Sequence, residues 1–139
     1  MISRIAIAAF ILTLASCSSE TAVPTPDFLT QRSDITSWPL SSITGTVTVH
    51  EGCLSIAPTH SGKPLALVIP YGYALRVERD SVFVVDQQGN AWVTAGRKAS
   101  ISGGPIADNT ELQSLIGMHR VASKCQSPAW LALPKFDRP

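Results

Sequence analysis

The chain has 139 residues, enough for one domain and no more once a short leader is set aside. Eleven Lys plus Arg against ten Asp plus Glu leave a formal charge of +1. So even a balance argues against generic nucleic-acid binding and against polybasic adsorption to anionic lipid, while leaving room for a small local patch.

The first stretch carries one positive charge, at Arg4, followed by the uncharged run Ile5 to Leu14 and then Ala15-Ser16-Cys17. An apolar run of about ten residues is half the length needed to span a bilayer as a helix, and it fits the apolar core of a signal peptide. With its basic start, short apolar centre, small residues and cysteine, the segment resembles the lipobox of bacterial lipoproteins. That resemblance implies residues 1–16 as a signal peptide and Cys17 as the site of lipid attachment. Two or three acyl chains there would hold the protein on a membrane, where one alone holds only marginally. Ser18 follows the cysteine, and by the enterobacterial sorting rule it points to the outer membrane. Removing residues 1–16 takes away Arg4 alone, so the mature chain has ten basic and ten acidic residues and no net charge.

The three cysteines divide on this reading. Cys17 takes lipid, and Cys53 and Cys125 remain as an even pair, which in an oxidising compartment reads as a disulfide. The alternative is two buried free thiols. No CxxC pair is present, and His50, His60 and His119 are scattered, so no metal site is expected. No cofactor fingerprint is present either.

Residues 17–40 read as a lipid-anchored flexible tether, rich in Ser, Thr and Pro and without apolar period. Phe28, Leu29 and Trp38 are the exceptions, and through them the later part has a means of docking. Residues 41–134 read as a β-barrel-like domain. Ile43 to Val49, Cys53 to Ala57 and the continuous apolar run Pro64 to Ile69 are its first strands. Tyr73 to Glu78 puts Tyr73, Leu75 and Val77 on one face and Arg76 and Glu78 on the other. Val82 to Val85 and Ala91 to Thr94 flank Asp86-Gln87-Gln88-Gly89-Asn90, a hairpin turn by composition. Ala99 to Ser102 is a further strand, ended by Gly103-Gly104-Pro105. Asp108 or Asn109 caps a two-turn helix with Leu112, Leu115 and Ile116 as its apolar stripe and Gly117 as its stop. His119 to Lys124 returns as a strand into Cys125, Trp130 to Leu133 is the last strand, and 135–139 is a frayed tail.

Strands spaced at eight to twelve residues, with one short helix late in the chain, predict a mainly β fold. The expected form is a small closed or partly open Greek-key barrel, OB-like in one version. The OB helix sits between the third and fourth strands, and here it comes later. The order Gly52-Cys53-Leu54, Pro70-Tyr71-Gly72, a hairpin, Gly103-Gly104 and Cys125 to Leu131 resembles a set of uncharacterised small bacterial β-domain proteins. No activity comes with that resemblance.

Catalytic candidates are weak. His50-Glu51 beside Cys53 suggests a Cys–His pair only if the thiol is free. His60-Ser61 lies in a polar turn without a GxSxG elbow, and the carboxylates are dispersed. Gly103-Gly104 has no phosphate-loop context. Tyr71, Tyr73, Trp92 and Trp130 read chiefly as core, with a sugar- or peptide-lining groove as the alternative. The expected function is therefore a non-enzymatic, membrane-anchored, periplasm-facing envelope module. Its partner would be an envelope protein, the cell wall or a lipid-like molecule, and not nucleic acid. The alternatives are a periplasmic hydrolase inhibitor or an enzyme with an unrecognised site.

Overall fold

The computed structural model describes residues 23–35, 37, 40–60, 62–117 and 124–134. Among the described residues, nine strands and one helix follow in chain order: β1 (Leu29–Thr30), β2 (Ser41–His50), β3 (Cys53–Pro58), β4 (Leu65–Ile69), β5 (Ala74–Glu78), β6 (Ser81–Val85), β7 (Ala91–Thr94), β8 (Lys98–Ile106), α1 (Asn109–Leu115) and β9 (Ala129–Ala132).

Five of these close a barrel in the order β4-β3-β2-β8-β9. Its neighbours are antiparallel except at the closure, where β4 and β9 run parallel with Leu67 opposite Trp130. This is the five-stranded Greek-key barrel of the OB-like expectation. The helix lies between the fourth and fifth barrel strands. The connection between the third and fourth is filled by the antiparallel sheet β5-β6-β7.

Closure explains the patterning of the strands. In β4, Leu67 and Ile69 face the barrel interior with Val47, Leu54, Ile56, Ile101 and Trp130. Ala66 and Val68 alternate outward, into a second cluster under α1 with Leu112, Ile116 and Leu131. A strand covered on both faces reads as a continuous apolar run, as Leu65 to Ile69 does. The interior cluster is completed by Val82, Val84 and Val93 of the small sheet. Tyr73, Leu75 and Val77 pack toward it while Arg76 and Glu78 stay exposed, as the alternation predicts.

Two glycines permit the corners. Gly45 pairs with both β3 and β8, and a Cβ there would meet the Ala57 carbonyl oxygen at 2.3 Å. Gly103 pairs with both β2 and β9, has φ 151°, and a Cβ there would lie 1.8 Å from the Leu131 oxygen. Gly103-Gly104-Pro105 therefore does not end its strand. β8 runs on to Ile106 because β9 supplies a second partner for this stretch.

Helix α1 has seven residues, too few to persist alone. Asp108 caps it, its carboxylate accepting from the Glu111 amide at 2.9 Å. Leu112 is fully buried beneath it.

The tether expectation for residues 17–40 needs correcting over its later part. The Asp27 amide donates to the Gly52 carbonyl, and the Leu54 amide donates to Asp27. Leu29 and Thr30 pair with Val68 and Ile69, and the Gln31 amide donates to Ile69. Segment 27–31 thus bridges β3 and β4. Its continuation holds the end of α1, through Arg32 to the Leu115 carbonyl and Gly117 to the Thr30 carbonyl. The buried Gln31 side chain donates to the Ala132 carbonyl. One buried leucine and a set of unpaired backbone groups on β3 and β4 outweigh the Pro-rich composition around them. The sequence-predicted strand His119 to Lys124 lies outside the described residues except for Lys124, which sits in a turn. Trp38 and the tail 135–139 also lie outside them.

Candidate ligand cleft

A cleft of about 270 Å³ opens on the outer face of β3 and β4. Its floor is Cys53, Ser55 and Ala66, the outward-facing residues of these strands. The β2–β3 turn forms one rim with His50 and Glu51. Lys63 and Pro64, leading into β4, form another, and Lys124 to Pro128, leading into β9, form the third. In OB-type barrels, ligands bind on this same sheet face, flanked by loops.

The floor is rigid. Cys53 and Cys125 are joined in a disulfide with Cα atoms 5.3 Å apart, both buried. The Ser55 hydroxyl, also buried, donates to the Cys53 carbonyl at 3.0 Å. Asn109 at the start of α1 accepts from the Ser127 amide at 2.7 Å and fixes the third rim. Gly52 has φ 81°, and a Cβ there would come within 2.9 Å of Lys124 Cδ, so the glycine lets the lysine stem lie across the turn. The rims are exposed. His50 Nε2 is 4.0 Å from Glu51 Oε1, with the Glu51 side chain 84% exposed. Among the described residues, no Phe, Tyr or Trp lines the cleft.

A broader, open groove of about 890 Å³ lies at the end of α1, lined by Thr30, Gln31, Arg32, Asp34, Tyr71 and Gln113 among others. Its charges are already committed. Arg32 makes a two-pronged contact with Asp34, and its third nitrogen donates to the Ser114 carbonyl at 3.1 Å. The guanidinium holds the Asp34 carboxyl below its ordinary pKa, chiefly by hydrogen bonding.

The residues singled out from sequence divide sharply. Cys17 lies outside the described residues. Cys53 carries no free thiolate, so a Cys53–His50 nucleophile pair is not available. His60 is exposed in a turn, and Ser61 lies outside the described residues. Gly103 and Gly104 are buried in the barrel wall. The four aromatics are not gathered into a groove. Trp130 is inside the barrel; Tyr73 and Trp92 meet edge to face at 5.3 Å as half-buried packing; Tyr71 stands exposed on the other groove. Among the described residues, no three His, Cys, Asp or Glu side chains are grouped as metal ligands, and no helix is long and apolar enough to cross a membrane.

Lys63, Lys124, Gln126 and Ser127 carry no sequence signal of a site. They lie in two connections some sixty residues apart and meet only because β4 and β9 close the barrel side by side. Comparison with protein-family models, curated proteins and solved structures returned no match.

Proposed function

We propose that the protein is an envelope lipoprotein, a barrel held on a membrane by acyl chains at Cys17 and acting as a non-enzymatic binding or scaffolding module. The observation that carries this reading is the Cys53–Cys125 disulfide. Structural disulfides belong to oxidising compartments such as the periplasm. Pairing these two leaves Cys17 as the odd cysteine of three, inside Leu14-Ala15-Ser16-Cys17. A cytosolic protein would need neither feature.

The docking of segment 27–31 adds a geometric consequence. Val23, six positions after Cys17, packs against the barrel interior cluster. That stretch spans at most about 20 Å when extended. Acylated at Cys17, the barrel stays close to its membrane, within reach of partners there. Ser18 favours the outer membrane, facing the periplasm.

Expression of the full chain in a Gram-negative host tests the reading. Intact mass after detergent extraction should show a chain beginning at Cys17 with two or three acyl groups. Cys17→Ala should accumulate as an uncleaved, unacylated precursor. Recovery of the wild-type chain as a soluble species with an unmodified N-terminus overturns the proposal. Crosslinking in intact cells then identifies the partner.

A further inference from the structure

We propose that the cleft between His50, Lys63 and Lys124 is an anion site that takes a phosphate-bearing group. Two lysines, Lys63 and Lys124, line it from separate rims. Among the described residues the ion pairs are Arg32–Asp34 and the marginal His50–Glu51 contact, and neither lysine joins one. Glu51, the one carboxylate at the rim, is largely exposed. The other described cations of the fold, such as Arg76, Arg79 and Lys98, stand outside this cleft.

The chemistry fits an oxyanion. Lysine binds phosphate as a compact point charge, and Gln126 and Ser127 add polar groups at the same rim. Among the described lining residues there is no Phe, Tyr or Trp, the usual broad stacking platform for a base or a sugar. The disulfide floor and the Gly52–Lys124 packing hold the rims in place before any ligand arrives, which lowers the entropic cost of binding.

Location bears on the source. After Val23 packs against the interior cluster, the chain passes this rim, where the Asp27 amide donates to the Gly52 carbonyl. Asp27 is ten residues from Cys17, at most about 35 Å of extended chain. This part of the argument rests on the acylation proposed above; the cleft chemistry does not. The phosphate group would come from an anionic phospholipid headgroup of the anchoring membrane or from a free phosphate.

The test uses the full lipidated chain in a non-ionic detergent, with NMR following the amides of Gly52, Ser55 and Gln126. Inorganic phosphate, short-chain phosphatidylglycerol and short-chain phosphatidylcholine are titrated separately. Saturable shifts with phosphatidylglycerol alone identify the headgroup, and with inorganic phosphate alone a soluble ligand. Saturation with both identifies the phosphate group itself. The Lys63→Gln, Lys124→Gln double variant should bind about tenfold more weakly or worse. Lys98→Gln, exposed on β8 outside the cleft, should leave binding unchanged. Lys63→Arg should retain it and guards against a folding defect. No saturable shift with either anion, equal shifts with phosphatidylcholine, or undiminished binding by the folded double variant overturns the proposal. Intact mass reads acylation independently, so an unacylated chain that still binds phosphate sinks only the lipoprotein reading.

Discussion

Leu29→Ala distinguishes a tether from a structural strand. Leu29 is 1% exposed and packs with Cys53, Val68, Leu112 and Ile116 in the cluster under α1. Truncating a fully buried leucine removes its transfer free energy and leaves a cavity, together about 2–5 kcal/mol. The residue sits in a two-residue strand at the edge of the six-stranded sheet, where partial collapse is easier, so a loss of about 3 kcal/mol is expected. Net stabilities of small domains are about 5–15 kcal/mol, so this is a large fraction of the whole. The assay is urea unfolding of the oxidised protein followed by tryptophan fluorescence. With slopes of about 1–3 kcal/mol per molar urea, the midpoint should fall by about 1–3 M. Thr25→Ala, at an exposed position just upstream, is the control and should change stability by about 0.5 kcal/mol or less. If Leu29→Ala also stays within about 0.5 kcal/mol, segment 27–31 contributes nothing and the account of the β3–β4 bridge is wrong.

Three further outcomes follow from the same structure. Cys53→Ser opens a disulfide between residues 72 apart and should cost about 4 kcal/mol by the chain-entropy model; an unchanged melting curve would mean that the bond does not form. Gly103→Ala places a Cβ against the Leu131 carbonyl and should abolish cooperative unfolding, whereas Gly89→Ala, in an open hairpin turn, should cost only the strain of its positive φ; equal melting temperatures for the two would refute the corner argument. The Asp34 carboxyl, lowered by Arg32, should titrate below the ordinary aspartate range in a carbon-detected NMR titration. Its folded-state pKa is lower than its unfolded one, so its contribution is complete above the unfolded value and is lost as pH falls through the folded one. Both groups are exposed, so the effect on stability is small. A midpoint at or above the ordinary range, or one that Arg32→Gln leaves in place, would refute it.

The strands were legible because each carries its own period. β5 alternates, β4 runs apolar, and Asp86 to Asn90 has the turn residues that its hydrogen bonds then use, with the Asp86 carboxylate accepting from both Gln88 and Asn90 amides. The cap at Asp108 and the stripe ending at Ile116 were equally local. The short strand at Leu29 was not legible. Two residues among prolines have no period, and their order comes from unpaired backbone groups on segments about twenty-five to forty residues away. The continuation of β8 through Gly103-Gly104 was misread for the related reason that glycine weakens an isolated strand but permits a close approach in a barrel corner.

By itself the sequence determined a small, nearly neutral, mainly β chain with one late helix, because composition, period and capping are properties of neighbouring residues. Only the tertiary structure decided that the barrel closes through a parallel β4–β9 seam, that segment 27–31 belongs to it, and that Lys63 and Lys124 share one cleft over a disulfide floor. Those are relations between segments distant along the chain. They are fixed by which backbone edges remain unpaired and which faces remain uncovered once the local elements have formed.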